Sequence, residues 1–292
     1  TCRPRRRPMP EVRLTAADYL PLTALTALLN AVYADYALPV RRSSQQVAIH
    51  HAVWDIEPAL SVIAWMENEP VGVALLGRRG QAGWIGSMGV LPAWRRQGIG
   101  LHMLHQVQAN ARRAGLSHVD LEVLTRNTQA QALYEVAGFQ VQRELLTWQR
   151  RVEQGALPDP YFKLQPTSVA WALQQASAWH TTPPCWQRSV GSLLHMTDLR
   201  AFTVTDQSGE TPVYLLMRHL MQGQIRLADI GIAPGHEPRG LGRELLQGFH
   251  LRHFDANVIL GNEPVESPWN RVFVALGYYV IERQHEMRWL VT

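Results

Sequence analysis

The sequence predicts an α/β protein made of two tandem copies of one fold, each an α+β domain around a mixed sheet. Three observations carry this. The 292 residues suffice for two domains of ordinary size. Val90-Leu91-Pro92 followed by Gly98-Ile99-Gly100 recurs 142 residues later as Ile232-Ala233-Pro234 followed by Gly240-Leu241-Gly242. Further on, Val119-Asp120-Leu121 recurs as Val258-Ile259-Leu260 and Gly138-Phe139 as Gly277-Tyr278, now 139 apart. A three-residue deletion between a helix and a strand accounts for the change.

The first copy opens with a helix whose Leu22, Leu25, Leu28, Leu29 and Val32 share one face. Residues 61–66 and 71–76 read as strands around the turn Asn68-Glu69-Pro70, and residues 81–90 as a third strand. A helix over 98–113 closes on Gly115. Residues 118–124 form a short apolar strand. A helix over 128–137 has Ala130, Leu133, Tyr134 and Ala137 on one face and ends at Gly138, and two terminal strands run through Val141 and Trp148.

The second copy repeats the order. Helices fall at 169–177 and 190–195, strands at 199–205, 213–218 and 225–232, then a helix at 241–253, a strand at 257–260, a helix at 269–276 and a last strand near 285–290. Residues 154–160, rich in Gly and Pro, read as a linker. The expected division is a tail at 1–9, a first domain at 10–153 and a second at 154–292.

The composition is that of a globular protein, 46% hydrophobic and 18% charged. No stretch approaches the roughly 18 apolar residues of a membrane span, and no signal peptide is evident, so a soluble cytoplasmic protein is expected. The net charge of +4 resides in Arg3, Arg5, Arg6 and Arg7. Without them the basic residues fall from 28 to 24, equal to the 24 acidic ones, which argues against nucleic-acid binding. The tail before Met9 reads as an upstream extension. Two cysteines, Cys2 and Cys185, and scattered histidines suggest neither a disulfide nor a metal site.

Arg95-Arg96-Gln97-Gly98-Ile99-Gly100 follows a strand and opens a helix. Unpaired N–H groups and the positive end of the helix dipole suit a pyrophosphate there, and glycine admits close approach. Arg95 and Arg96 add charged donors. Residues 90–100 resemble the Arg/Gln-x-x-Gly-x-Gly/Ala signature of the GNAT superfamily of N-acetyltransferases. Asn127, Ala130, Leu133, Tyr134, Gly138 and Phe139 match its second element. The resemblance covers most of residues 10–150.

It implies an acyl-CoA N-acyltransferase with acetyl-CoA as cosubstrate and a small amine or peptide as acceptor. The backbone of Met88, Gly89 and Val90 would pair with the pantetheine arm, and the amides of Gln97, Gly98, Ile99 and Gly100 would receive the pyrophosphate. Asn127 would contact the arm, and Tyr134 would lie near the sulfur.

Amine attack on a thioester needs a base and a proton for the leaving thiolate. The Tyr134 phenol suits the second task. Alternation places Asp120 and Glu122 on the face opposite Val119, Leu121 and Val123, and Glu122 is the candidate base. Asp35 and Tyr36, after the first helix, are acceptor-binding candidates, with His50 and His51 ranked behind them. In the second copy Arg95 becomes Glu237, Arg96 becomes Pro238, Asn127 becomes Glu266 and Tyr134 becomes Phe273. Each change is adverse to acyl-CoA chemistry, so this copy is expected to serve acceptor binding, packing or dimerisation. An acyl-CoA-binding sensor without turnover is the alternative reading of the whole chain, and homodimerisation is left open.

Overall fold

The computed structural model describes residues 12–35, 41–152, 157–180, 182–220 and 223–291. The chain forms two compact units. One comprises Thr1–Leu121, Thr128–Gln140 and Arg288–Thr292, the other Glu122–Asn127 and Val141–Met287.

In the first unit the strands β1 (Val12–Ala16), β2 (Val62–Met66), β3 (Glu69–Arg79), β4 (Ala82–Val90) and β5 (His118–Leu124), the last of which passes into the second unit after Leu121, lie in sequential order. The first four are antiparallel, and β4 and β5 are parallel. Helix α1 (Leu22–Val32) turns Leu25, Leu28, Leu29 and Val32 onto Ile63, Val73 and Leu75. Helix α3 (Ile99–Arg113) covers the other face, where a Cβ on Gly72 would come within 3.0 Å of the Met103 side chain. Its buried Ile99, Met103, Leu104, Val107 and Ala111 make one apolar stripe. The helix ends as expected: Gly115 takes φ +69° and the Leu116 N–H donates to Ala111 O.

Between α1 and β2 lies α2 (Ser44–Val53), which the apolar pattern does not announce. Its start is held by a reciprocal capping box between Ser43 and Gln46. Helix α4 (Thr128–Val136) follows β5. The Gln108 side chain in α3 donates to Ala137 O at 2.7 Å, fixing the end of α4 against α3.

In the second unit β8 (Arg200–Val204), β9 (Val213–His219), β10 (Gln224–Ile232) and β11 (Asn257–Pro264) repeat this order, with β7 (Leu164–Thr167) at the outer edge. Helices α5 (Val169–Trp179) and α6 (Val190–Leu194) cover one face with Tyr214 and Leu216. Helices α7 (Arg243–Arg252) and α8 (Trp269–Ala275) cover the other with Leu215, Met217 and Leu227.

The repeat is visible in the hydrogen-bond register. In the first unit the parallel ladder runs from Ala82↔His118 to Ile85↔Leu121, and in the second from Gln224↔Asn257 to Leu227↔Leu260. Both copies then carry a bulge, at Gly86 and at Ala228. These are the offsets of 142 and 139 read from the sequence.

The compact units are not the sequential stretches 10–153 and 154–292. Residues 140–150, expected as two strands, form one strand, β6 (Gln140–Arg150). Its residues from Val141 onward belong to the second unit, where β6 pairs antiparallel with β11 from Val258↔Arg150 to Pro264↔Leu145. There Trp148 Nε1 donates to Asn270 and Arg150 Nε to Leu276 O. Conversely, the last strand, β12 (Tyr279–Leu290), runs through the second unit but ends in the first. Arg288 forms a bidentate pair with Asp120 at 2.6 and 2.7 Å, and the Val291 N–H reaches Ser117 O. The first copy's terminal strand thus lies in the second unit and the end of the second copy's lies in the first, which is why a cut in the sequence does not separate the packing.

Candidate active site

Beyond Ile85 the ladder between β4 and β5 stops. The Gly86 bulge re-aims the end of β4, and Met88-Gly89-Val90 continues along β3 alone. Met88 keeps a main-chain donor and acceptor on the side away from β3. Both are taken by a residue that the sequence does not single out, Tyr33, the C-cap of α1. The Met88 N–H donates to the Tyr33 hydroxyl at 3.0 Å, and that hydroxyl donates to Met88 O at 3.1 Å. Val32 covers Gly89 so closely that any Cβ there would lie 2.2 Å from its Cγ1.

The cradle follows. Gly98, the N-cap of α3, has φ +82°, a left-handed conformation that glycine adopts without a Cβ penalty. The first N–H groups of α3 have no acceptor within the helix. Gly100 faces α4, where a Cβ would lie 3.0 Å from Leu133 Cδ2. The cradle and the helix bearing Tyr134 are therefore in direct contact. Tyr134 itself is buried, with its ring 5.9 Å from that of Phe139.

Arg96 is exposed at the cradle, while Gln97 donates to Ala93 O. Arg95 is engaged elsewhere in the fold. Its guanidinium holds Asp35 at 2.6 and 2.8 Å, and it also donates to Val90 O and Val32 O. The hydrogen bond from Arg95 holds the Asp35 carboxyl below its ordinary pKa, so Asp35 is an anionic clasp in this arrangement. Tyr36 lies outside the described residues.

On the α2 side of β4, a cavity of about 10 Å³ is lined by Arg42, His50, His51, Trp54, Gly86 and Ser87, among others. His51 Nε2 is shielded from solvent without a hydrogen-bond partner among the described residues. Burial lowers its pKa below 6.5, so this imidazole is neutral at neutral pH. His50 instead packs against Trp54, ring centroids 4.3 Å apart and planes tilted by 45°.

Glu122 and Asn127 fall in the second unit. Glu122 accepts a hydrogen bond from Gln187 at 3.0 Å. Its charge, after burial, helps push the Cys185 thiol up to about 12. Asn127 is half-buried and its N–H donates to Leu124 O.

The corresponding region of the second unit is built differently. Residues 238–242 wind as a single π-turn in which Gly242 has φ −64°, an ordinary helical value. A Cβ at Gly242 would strike the Trp269 ring at 2.7 Å, so this glycine serves packing. Where β10 and β11 part, Arg188 fills the space. It pairs with Asp229 at 2.8 Å and with Glu263, and donates to Asn262 O. His180 and the Tyr214 hydroxyl complete the set around Asp229, at 2.8 and 2.6 Å.

Residues 26–139 match the family model described as Acetyltransferase (GNAT) family. This segment is a GNAT domain. The GNAT segment marks the chain as an acyltransferase, an enzyme that takes an acyl-CoA cosubstrate and an acceptor. The chain as a whole has the fold of two tandem GNAT domains. A tandem GNAT protein from the clavulanic acid biosynthesis pathway is 15% identical, with a TM-score of 0.68 over 97% of this chain and 99% of that one. A GCN5-related N-acetyltransferase from Sphaerobacter thermophilus is 18% identical, with a TM-score of 0.72 over 96% of each chain. A putative acetyltransferase from Pyrococcus horikoshii is 15% identical, with a TM-score of 0.63 over 100% of this chain and 93% of that one. Among curated proteins none matches. No helix among the described residues is long and apolar enough to cross a membrane.

Proposed function

We propose that the first GNAT unit transfers an acetyl group from acetyl-CoA to a primary amine of a small molecule or peptide, by direct attack in a ternary complex. The observation that supports this reading is the conjunction, in one unit, of a splayed β4, a left-handed Gly98 cradle and the Tyr134 helix seated on that cradle. In the second unit a glutamate replaces the cradle arginine, the turn lacks the left-handed glycine, and Arg188 occupies the splay.

The first turn of α3, with Gln97 to Gly100 and the exposed Arg96, would hold the pyrophosphate. The acyl donor supplies a thioester carbon that the amine nitrogen attacks, with cleavage of the carbon–sulfur bond. His51, neutral and facing the β4 bulge, takes the proton lost by the amine. Tyr134 gives its proton to the leaving thiolate. We rank His51 before Glu122 because Glu122 Oε2 is already engaged by Gln187. Tyr134→Phe is expected to lower turnover about 10²-fold while leaving acetyl-CoA affinity unchanged. Free-thiol release across an amine panel, beside calorimetric titration, reads both. Unchanged turnover would remove Tyr134 from the mechanism.

A binding-only role is favoured by one feature: the Met88 main-chain groups that a donor arm would use are held by Tyr33. On the catalytic reading Tyr33 yields to the arm. Tyr33→Phe should then bind acetyl-CoA about three- to tenfold more tightly, the worth of one freed hydrogen bond. Affinity for adenosine 3′,5′-bisphosphate, which has no pantetheine arm, should be unchanged. Weaker acetyl-CoA binding would show that Tyr33 assists the donor.

A further inference from the structure

Between Asp35 and Asp55 the chain carries Arg41, Arg42, His50 and His51 but no acidic residue. Both flanking carboxylates are already engaged: Asp35 is held by Arg95 and Asp55 by Arg79, each at 2.6 Å. Within the cavity on the α2 side of β4, Arg42 is the one formally charged side chain in the lining.

Arg42 is fixed in place by α1. The Asn30 side chain accepts from the Arg42 N–H and donates to its carbonyl, both at 2.9 Å. The guanidinium, half-buried, has no hydrogen bond or ion pair among the described residues. Burial pulls its pKa below 12.5, with only the Tyr33 phenol acting against that. Arg79, also partly buried, has Asp55 to offset the same penalty. A guanidinium stays charged in a protein, and taking it out of water is costly unless an anion completes it.

The place of this cation decides which anion that is. Arg42 shares the cavity with Gly86 and Ser87 of the β4 bulge and with His51, whose Nε2 is shielded and lacks a hydrogen-bond partner among the described residues. At about 10 Å³ the cavity has the volume of about one water, so it receives the end of a ligand and not its body. A carboxylate oxygen has that size, and the planar carboxylate matches the guanidinium fork. Because Arg42 and His51 line one cavity, a single small molecule can reach both.

Resting on the transfer reading of the first unit, we propose that its acceptor is an amino acid, with the carboxylate held by Arg42 and the amine turned to His51. The amine is common to the reaction; Arg42 adds the demand for an anionic substituent and is the specificity-determining residue.

The test titrates the full chain, in the presence of CoA, with free L-amino acids, β-alanine and γ-aminobutyrate, each beside its carboxamide. Calorimetry gives affinity and the Trp54 indole N–H resonance gives location. At least one acid should bind about ten- to a hundredfold more tightly than its amide and shift the Trp54 resonance. Arg42→Gln should bring that ratio to about one. Arg42→Lys, which keeps the charge without the planar fork, should lower it about three- to tenfold. The proposal is overturned if no acid outbinds its amide, if the ratio survives in Arg42→Gln, or if Arg42→Lys keeps it in full. Thiol release from acetyl-CoA separates the two readings. Acids that bind through Arg42 but are never acetylated sink the transfer reading alone, and amides bound and acetylated as well as acids sink this one alone.

Discussion

Joint replacement of Gly98 and Gly100 by glutamate is expected to abolish acetyl-CoA binding, with a loss of about a hundredfold or more. Three effects act together. At Gly98 a side chain must accept φ +82°, which costs about 1–2 kcal/mol for a non-glycine residue. At Gly100 the new Cβ meets Leu133 Cδ2 at 3.0 Å and presses α4, with Tyr134, away from the cradle. Two carboxylates then stand where a helix N-terminus would receive phosphate. The surroundings of Gly98 are open, with nothing within 4 Å of the point a Cβ would occupy, so the fold should survive as judged by circular dichroism. Calorimetry should find one site per wild-type chain and none in the variant. Two sites in the wild type, or one surviving in the variant, would move the donor site to the second unit.

The largest effect on stability is expected from Arg188→Met. The substitution leaves Asp229 and Glu263, 0% and 3% exposed, without their shared cation. Breaking a buried pair by removing one partner costs about 3–5 kcal/mol, or about 10 °C in melting temperature for a domain of this size. Combining it with Asp229→Asn and Glu263→Gln should recover much of the loss, since the penalty lies in the stranded charges. The network also has a pH signature. Burial pushes Asp229 up, but His180, Arg188 and the Tyr214 hydrogen bond outweigh it and hold its pKa below 3.8. A carboxyl lowered on folding stabilises above its unfolded pKa, so this contribution is present above about pH 4 and lost as pH falls below it. Urea melts between pH 3 and 7 should show the wild type losing stability towards acid more steeply than the triple variant. Parallel curves would mean that the network carries no net stabilisation.

The repeat and the cradle are legible in the sequence because their signals are local. Gly98-Ile99-Gly100 after a strand, and the recurring Gly138 and Gly277, report backbone geometry at single positions. The offsets of 142 and 139 reappear unchanged in the ladders of β4 with β5 and β10 with β11. Helix α2 is hard to see because its apolar face is thin; Val47, His50, His51 and Trp54 do not look like a stripe, and only Ser43 with Gln46 marks its start. Tyr33 escapes sequence reasoning because its role is a tertiary one, reaching Met88 across 55 positions of chain. The type and place of Arg95 suggest a phosphate ligand, while its geometry commits it to Asp35. Arg188 lies in a stretch without periodicity, and nothing local ties it to Asp229 and Glu263.

The placement of the terminal strands bears on how the gene can be altered. A protein whose repeats each keep their own last strand can lose one repeat and retain the other. Here deletion of residues 154–292 would remove the Arg288 clasp on Asp120 and leave β6 without β11, and deletion of the first copy would leave β11 without β6. Neither copy can therefore be removed without taking a strand or a clasp from the unit that remains. The packing of these strands is by itself a reason for both copies to be retained.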